Sequence, residues 1–409
     1  MPTASTQLYR GRTILPMNRP HIHDGGIAVR GNQVLAVERW EDLIREYPGA
    51  MAEDLGEVIL MPGLINAHCH LDYTMMRGAL FGRESFADWI QRLNGMRRSL
   101  DQSDYLDAIS VGLGELRHWG CTTVFNIESF PELVPFLPES PMRVWWFLEV
   151  MDVRSRLHSA EALAGAIEFF EKAGEGKGGF GISPHAPYTV SRDLYELSGL
   201  YARKYQLPLC THLAETEEEM AMFSLGEGPL YRFLQSIGRS MDDCRGVTPV
   251  QSILGQKLLP EGSLLVHMNV LTNGDKEILR ETAGSHPVIH CPRTHAFFER
   301  DQFELEFFRA CGIPVLLGTD SLASNQDLNM FEEMRSMASS FPDLPPMEIL
   351  AMATLLPSAA IGQKGRLGEL SPGAIADFIA IPDWTGGEDI AERILANRLP
   401  PKVWISGHQ

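Results

Sequence analysis

Cysteine is scarce. The chain of 409 residues holds six (Cys69, Cys121, Cys210, Cys244, Cys291, Cys311), scattered and mostly set in apolar stretches. That pattern excludes a disulfide framework and fits reduced, buried thiols. Long apolar runs are missing as well, and the N-terminal stretch MPTASTQLYRGRTIL has no apolar core of a secretion signal. The expectation is a cytoplasmic protein with no membrane partner. Positive charge is in deficit: 35 Lys and Arg against 53 Asp and Glu leave a net charge of −18. A surface of that sign disfavours nucleic acid and anionic lipid as partners. Repeats and low-complexity tracts do not occur either. What remains is an ordinary globular composition, 44% hydrophobic and 22% charged, long enough for one large catalytic domain and a smaller one.

The most informative stretch is MPGLINAHCHLD, residues 61–72. An apolar run stops at His68 and His70. In an extended strand, residues two apart point to the same side, so both imidazoles can reach one point while Cys69 is directed away. Imidazole is a common ligand for zinc, iron and related ions. The spacing alone is weak, because His21 and His23 repeat it in HIHDGG, a polar stretch that reads as an exposed turn. The strength comes from repetition. ISPHAPY, LCTHLAE, LLVHMN and VLLGTD are four more short apolar runs that end on a polar residue.

Taken in order, residues 6–60 alternate apolar and polar positions between Gly and Asn turns, which predicts antiparallel strands. From about residue 58, strand and helix alternate. FADWIQRLNGMRRSL and SDYLDAISVGLGELRHWG have helical spacing, the second with Ser103 as N-cap and Gly120 as stop. Strands CTTVFNI, MRVWWFLEV, GFGIS, LPLCTHLAE, SLLVHMN, HPVIHCP and IPVLLGTD follow, with helices over 159–173 and 191–206 and near 274–283 and 302–311. The loop GEGKGG lacks the spacing of a phosphate cradle. Eight apolar strands alternating with helices predict an α/β protein, a (β/α)8 TIM-like barrel. The expected divisions are 1–58 as the N-terminal part of a small β-sandwich, 59–363 as the barrel, and 364–409 as the C-terminal part of the sandwich. All strands of such a barrel open onto one face, which puts His68, His70, His185, His212, His267 and Asp320 around one mouth. Glu149, ending the third strand, can meet substrate or form a salt bridge. Met330, Met334, Met337 and Met352 read as helix core, and Trp145 and Trp146 as core and barrel wall.

With these residues in view, the chain resembles the amidohydrolase superfamily. PGLINAHCHLD, SPHAPYTVS, THLAETEEE, LLVHMN, GTDSLASN and GRLGELSPGAIADFIAI carry the likeness over nearly its whole length. More narrowly, it resembles the mononuclear aminohydrolases: deaminases of S-adenosylhomocysteine, methylthioadenosine, guanine and aminodeoxyfutalosine, and triazine hydrolases. The resemblance implies His68, His70, His212 and Asp320 as metal ligands, Glu215 as proton shuttle and His267 as the group that polarises the substrate or holds the bound water. It implies a substrate contact from His185; Trp89 of the FADW helix and, from its place at a strand end, Glu149 are the further candidate contacts. Binuclear relatives carry a bridging lysine at the end of strand four; GFGISPHAP has none, so one divalent ion per chain is expected, zinc first and iron as the alternative. Two departures are visible. IQRLNGMRRSL has no carboxylate where adenosyl-type relatives carry one for ribose, and HCPRTHAFF places Thr294 and His295 where relatives often end in Ser-Asn.

The chemistry suits that set. Water, with a pKa near ~16, is a poor nucleophile at pH 7, and bound zinc lowers that value to about 7. One carboxylic acid can then pass a proton to the ring nitrogen and on to departing ammonia, the role read for Glu215. Asp320 can accept the water proton, and His267 can stabilise the charge that develops. The expected function is metal-dependent hydrolytic deamination of an amino-substituted heterocycle, a small-molecule substrate of purine or nucleoside type or related to it. The alternatives are hydrolysis of a cyclic amide or of a non-amino leaving group, and, more remotely, a barrel that binds without turnover. Arg92, Arg97 and Arg98 add positive charge to the FADW helix, where they either meet an anionic substrate group or balance surface acids. Homo-oligomerisation is left open.

Overall fold

Eight short parallel strands close into a ring in the computed structural model, which describes residues 5–82, 85–153, 158–172, 177–244, 246–282, 285–383 and 389–409. They are β1 (Leu64–His70), β2 (Cys121–Glu128), β3 (Arg143–Val150), β4 (Gly179–Pro184), β5 (Cys210–Leu213), β6 (Leu264–His267), β7 (Val288–His290) and β8 (Val315–Leu317, resumed at Asp320–Ser321). Pairing is continuous from β1 to β4 and from β5 to β8. One seam is the bridge Ile182↔Leu209; the other is the return of Asp320 and Ser321 to Cys69 and His70 of β1. The ring encloses its own apolar layer, with Ile65, Ala67, Phe125, Phe147, Val266 and Leu316 packed together. Side chains alternate along each strand, so the opposite set meets the surrounding helices in a second, larger core that includes Met330, Met334, Met337 and Met352.

Helices fall where the pattern puts them, with one change of cap. The helix Gln102–His118 is capped by Asp101, whose carboxylate accepts the N–H groups of Ser103 and Asp104. Ser103, expected as the cap, is already inside the helix. A carboxylate two residues earlier competes better because it accepts two amides and complements the positive helix end. Gly120 does end the segment, with φ +87°. The helix expected over 159–173 runs Ser159–Lys172, and its last expected residue lies outside the described ones, as does the first half of GEGKGG.

Both chain ends join one seven-stranded sheet. The strand Thr6–Ile14 forks it: Met51–Asp54 pairs with Gln7–Arg10, while Val58–Pro62 pairs further along with Thr13 and Ile14. Val58–Pro62 then pairs with Phe378–Pro382, which carries Lys402–Trp404 at its edge. Alternation again decides the packing. Ile59, Met61, Ile379 and Ile381 join the core of the barrel's outer layer, whereas Leu60, Phe378, Ala380 and Trp404 pack on Tyr9 and Ile27. HIHDGG is not a turn as expected. From Ile22 onward it lies in the strand Ile22–Arg30, with Asp24 taking a left-handed conformation (φ +47°) inside it. Between Pro62 and β1 the chain passes over Gly63, where a Cβ would lie 2.2 Å from the Thr122 side chain. Only glycine lets the end sheet run so closely into the barrel.

Candidate active site

His68 and His70 reach the mouth through a local irregularity. Ile65 and Ala67 point into the barrel core, and strict alternation would send His68 and His70 outward. Between Asn66 and Cys69, β1 holds one residue more than its neighbour β2. This bulge flips the alternation, so Cys69 joins the outer core and both imidazoles turn to the mouth. Asn66 fixes the bulge to β8: its Oδ1 accepts the N–H groups of His68 and Thr319, and its Nδ2 donates to Thr319 Oγ1 at 2.7 Å. β8 comes that close because residue 318 is glycine; a Cβ there would sit 2.8 Å from His68 Cβ.

The donor atoms converge. His70 Nε2 is 3.3 Å from His212 Nε2, and Asp320 Oδ1 is 3.6 and 3.9 Å from the Nε2 atoms of His68 and His70. His68, His70 and Asp320 form one group able to hold a metal ion; His68, His212 and His267 form another. His212 is oriented from behind, its Nδ1 donating to the His185 carbonyl at 2.9 Å, which leaves Nε2 to face the cluster. Neither ring nitrogen of His68 has a hydrogen-bond partner although the residue is fully buried. A buried polar atom without a partner is costly unless something else occupies its lone pair. Three imidazoles and a carboxylate are a donor set for which a divalent ion supplies that partner.

The electrostatics agree. Burial, then the neighbouring His68 and His212, press His70 well below the ordinary imidazole range, and burial lowers His68 too. Neutral imidazole is the ligating form. Burial alone would raise Asp320, but its contact with His68 and the nearby His212 outweigh it and hold the carboxylate ionised. His267 and Asp320 both sit at positive φ, +78° and +56°. Such non-glycine strain costs on the order of 1–3 kcal/mol per residue and persists where the surroundings enforce it, commonly at functional sites.

Glu215 stands opposite the cluster, 3.7 Å from His267 Nε2 through Oε1. Tyr188 donates its hydroxyl to Oε2 at 3.4 Å, and Arg300 Nη2 lies 3.2 Å from Oε1. Burial pushes the Glu215 carboxyl above its usual range, with Arg300 and His212 pulling the other way. Its backbone N–H donates to Glu219 at 2.6 Å, a carboxyl pushed up to about 8 by burial. The neighbouring Glu218 accepts the N–H groups of Phe86 and Ala87 at 2.7 and 3.1 Å, so it caps the helix Phe86–Arg97 and ties it to the Glu215 segment.

Above these groups lies a cavity of about 620 Å3, lined by His70, His185, His212, Glu215, His267 and Asp320 together with Trp89 and Glu149. All the expected site residues except His68, sealed behind His70, therefore border one space. The indole N–H of Trp89 is buried there without a partner. His185 Nε2 faces Glu149 Oε1 at 3.9 Å while its Nδ1 meets Thr189 at 2.6 Å, and burial lowers its pKa to about 4. Thr294 and His295 are framework: Thr294 bonds Ser324 at 3.0 Å and His295 bonds Asn269 and the Asp301 carbonyl. The sequence reading missed Arg300, Tyr188, Tyr73 and Phe298, all at or beside the cavity. Arg300 had no signal, since it lies in a loop ten residues past β7; Tyr188, in SPHAPY, was within reach.

Comparisons with known proteins bear on family and fold. A family model described as the amidohydrolase family matches residues 59–407. The aminodeoxyfutalosine deaminase of Deinococcus radiodurans is 32% identical over 343 residues, covering 80% of this chain and 79% of that one. The 5-methylthioadenosine/S-adenosylhomocysteine deaminase of Pyrococcus furiosus is 29% identical over 82% of this chain and 77% of its own. Among solved structures, an adenosine deaminase from Xanthomonas campestris with bound zinc superposes with a TM-score of 0.83 at 22% identity, covering 100% of this chain and 93% of that one.

Proposed function

The chain belongs to the amidohydrolase family, and on that premise we propose that it is a metal-dependent hydrolytic deaminase of an amino-substituted heterocycle. The carrying observation is the convergence of four buried donors, His68, His70, His212 and Asp320, opposite a buried carboxyl at Glu215. These four side chains would hold one divalent ion, with zinc the choice that suits three nitrogens and one oxygen. The zinc of the Xanthomonas campestris neighbour supports that choice. When bound, the ion supplies Lewis acidity that makes water a nucleophile near neutral pH.

The protein's own groups do the rest. Asp320, kept ionised, accepts the proton that the water loses. Glu215 gives a proton to the ring nitrogen beside the carbon under attack, then carries one to the departing amine. Its raised pKa suits both steps, because a carboxyl that is too acidic would hold no proton to give. His267, held neutral by burial with His212 and Arg300 close by, donates towards the charge that grows on the substrate. Trp89, His185 and Glu149 orient the heterocycle; the free indole N–H and the 3.9 Å gap between His185 and Glu149 leave donors and an acceptor for it. The names of the two relatives, both deaminases of adenine-bearing compounds, favour a purine head group.

The test is an ammonia-release screen with zinc-loaded protein over amino-purines, pterins, aminopyrimidines and triazines. We expect turnover of at least one amino-purine. Failure of every amino-heterocycle, with turnover of a cyclic amide or a halide, would overturn the deaminase reading.

A further inference from the structure

One wall of the cavity is the helix Phe86–Arg97, inserted between β1 and the helix Gln102–His118. Phe86, Trp89, Ile90, Leu93 and Asn94 line the space. Those positions recur every three or four residues, so one face of the helix supplies the wall. Of the three arginines near its end, Arg97 is half-buried in that wall, Arg98 is exposed at its rim, and Arg92 is exposed off it. The buried side chains of the helix pack with Tyr188, Phe223 and Leu234 in an apolar cluster separate from both cores of the barrel. Something other than the barrel strands must therefore set this wall relative to the histidine cluster and Glu215.

A closed circuit of contacts does so. Glu218 accepts the Phe86 and Ala87 N–H groups at 2.7 and 3.1 Å. The Arg300 guanidinium lies 5.9 Å from the centre of the Phe86 ring and 4.8 Å from that of Phe298. Arg300 then donates to the Glu215 carbonyl and, at 3.2 Å, to Glu215 Oε1. From Glu215 the main chain leads back to Glu218. Ala214, just before Glu215, and Glu299, just before Arg300, both sit at φ +51°. Non-glycine residues keep that conformation where their surroundings impose it. Ser85 supplies a contrast: its Oγ caps the same helix end through the Asp88 N–H at 3.1 Å, yet it stands outside the circuit.

We propose that Glu218 and Arg300 are positioning residues that hold the helix Phe86–Arg97 and Glu215 at one fixed separation, so that a heterocycle lying on the wall meets the acid in register. Both stand behind the cavity lining and act through Glu215. The separation matters because a misplacement of about 1 Å can cost ~10²-fold in rate. The proton-transfer role of Glu215 rests on the deaminase reading; the circuit does not.

The experiment has two arms, both on zinc-loaded full-length protein. The first is hydrogen exchange and needs no substrate. Arg300→Met should speed exchange in the first turn of the helix Phe86–Arg97 at least fivefold, although Arg300 bonds none of those amides, and should leave the helix Gln102–His118 unchanged. Arg300→Lys serves if that variant is insoluble. No acceleration, or equal acceleration in both helices, overturns the circuit. The second arm is turnover of a substrate found in the screen. Glu218→Ala should lower kcat at least tenfold with KM within threefold, whereas Ser85→Ala, which removes a cap from the same helix end, should leave kcat within twofold. Glu218→Gln keeps one acceptor and should lower kcat at least threefold; it serves if Glu218→Ala is insoluble. In Glu215→Gln protein, Glu218→Ala should change the residual kcat less than twofold, because a residue acting through Glu215 has nothing left to position. Equal losses from Glu218→Ala and Ser85→Ala, a raised KM at unchanged kcat, or an undiminished effect in Glu215→Gln protein overturns the proposal. If no amino-heterocycle releases ammonia, the deaminase reading falls and the exchange arm alone decides the circuit. If ammonia is released and exchange in the helix is unchanged, the circuit falls and the deaminase reading stands.

Discussion

Two pairs of histidines in this chain have the same spacing and nearly the same mutual geometry. The rings of His21 and His23 lie 4.7 Å apart at 81°, those of His68 and His70 4.9 Å apart at 87°. Residues two apart on a strand give that geometry wherever they occur. The surroundings differ. His21 and His23 are exposed at the start of a strand in the end sheet, and their Nε2 atoms face each other at 3.2 Å. His68 and His70 are buried, and His212, His267 and Asp320 bring further donors to the same point. A pair of imidazoles in water is a weak, shared-proton contact. The same pair, dried out and joined by a carboxylate, is a site.

The comparison breaks first on metal content. His68→Ala with His70→Ala should leave protein that holds no firmly bound divalent ion and turns over no substrate. His21→Ala with His23→Ala should change neither. Elemental analysis after gel filtration checks both, with wild type expected near one ion per chain. Equal losses in the two double variants would mean that burial does not distinguish the pairs.

The second effect is smaller and separates holding the ion from moving the proton. Glu215→Gln keeps the size of the side chain and its place beside Tyr188 and Arg300. Metal should stay, and kcat should fall by roughly 10²–10⁴, the usual contribution of a positioned acid–base group. Asp320→Asn should lose metal and rate together. Full turnover by Glu215→Gln on a confirmed substrate would remove Glu215 from the proton path.

What the sequence made legible follows the same division. The barrel strands stood out because each is a short apolar run between helices, and the polar residues that end them marked the mouth. Local signals also explain the failures. Asp101 and Ser103 are both good capping residues two positions apart, and only the amide geometry chooses between them. HIHDGG has the composition of a turn, yet the sheet on both sides holds it extended, with the left-handed Asp24 absorbing the misfit. The bulge in β1 was invisible: simple alternation put His68 and His70 together, but it could not say that Ile65 and Ala67 face the core from the opposite parity. Arg300 and the sorting of Arg92, Arg97 and Arg98 depend on how loops and one helix pack over the mouth, which no local pattern encodes.

The smallest expected effect tests what brings the buried pair to its place. Gly318 lies where β8 crosses β1, and an added Cβ would meet His68 Cβ at 2.8 Å and the His68 backbone N and O at 2.9 Å. Real Cβ atoms do not approach backbone so closely, so Gly318→Ala must move β8 away from β1. Two hydrogen bonds resist the movement, Thr319 N–H to the His68 carbonyl at 3.1 Å and Asn66 to Thr319 at 2.7 Å. Overpacking of this kind costs about 1–3 kcal/mol, and the shift carries Asp320, two residues on, away from His68 and His70. Gly318→Ala should therefore lower the unfolding midpoint and weaken metal binding together. Gly262 provides the contrast, since a Cβ there meets nothing within 4 Å, although its φ of +82° makes alanine strained. Gly262→Ala should reduce stability without touching metal affinity. If both variants lost stability and neither lost metal, the close crossing of β8 over β1 would be a packing feature alone, and the ligand geometry would have to be set elsewhere.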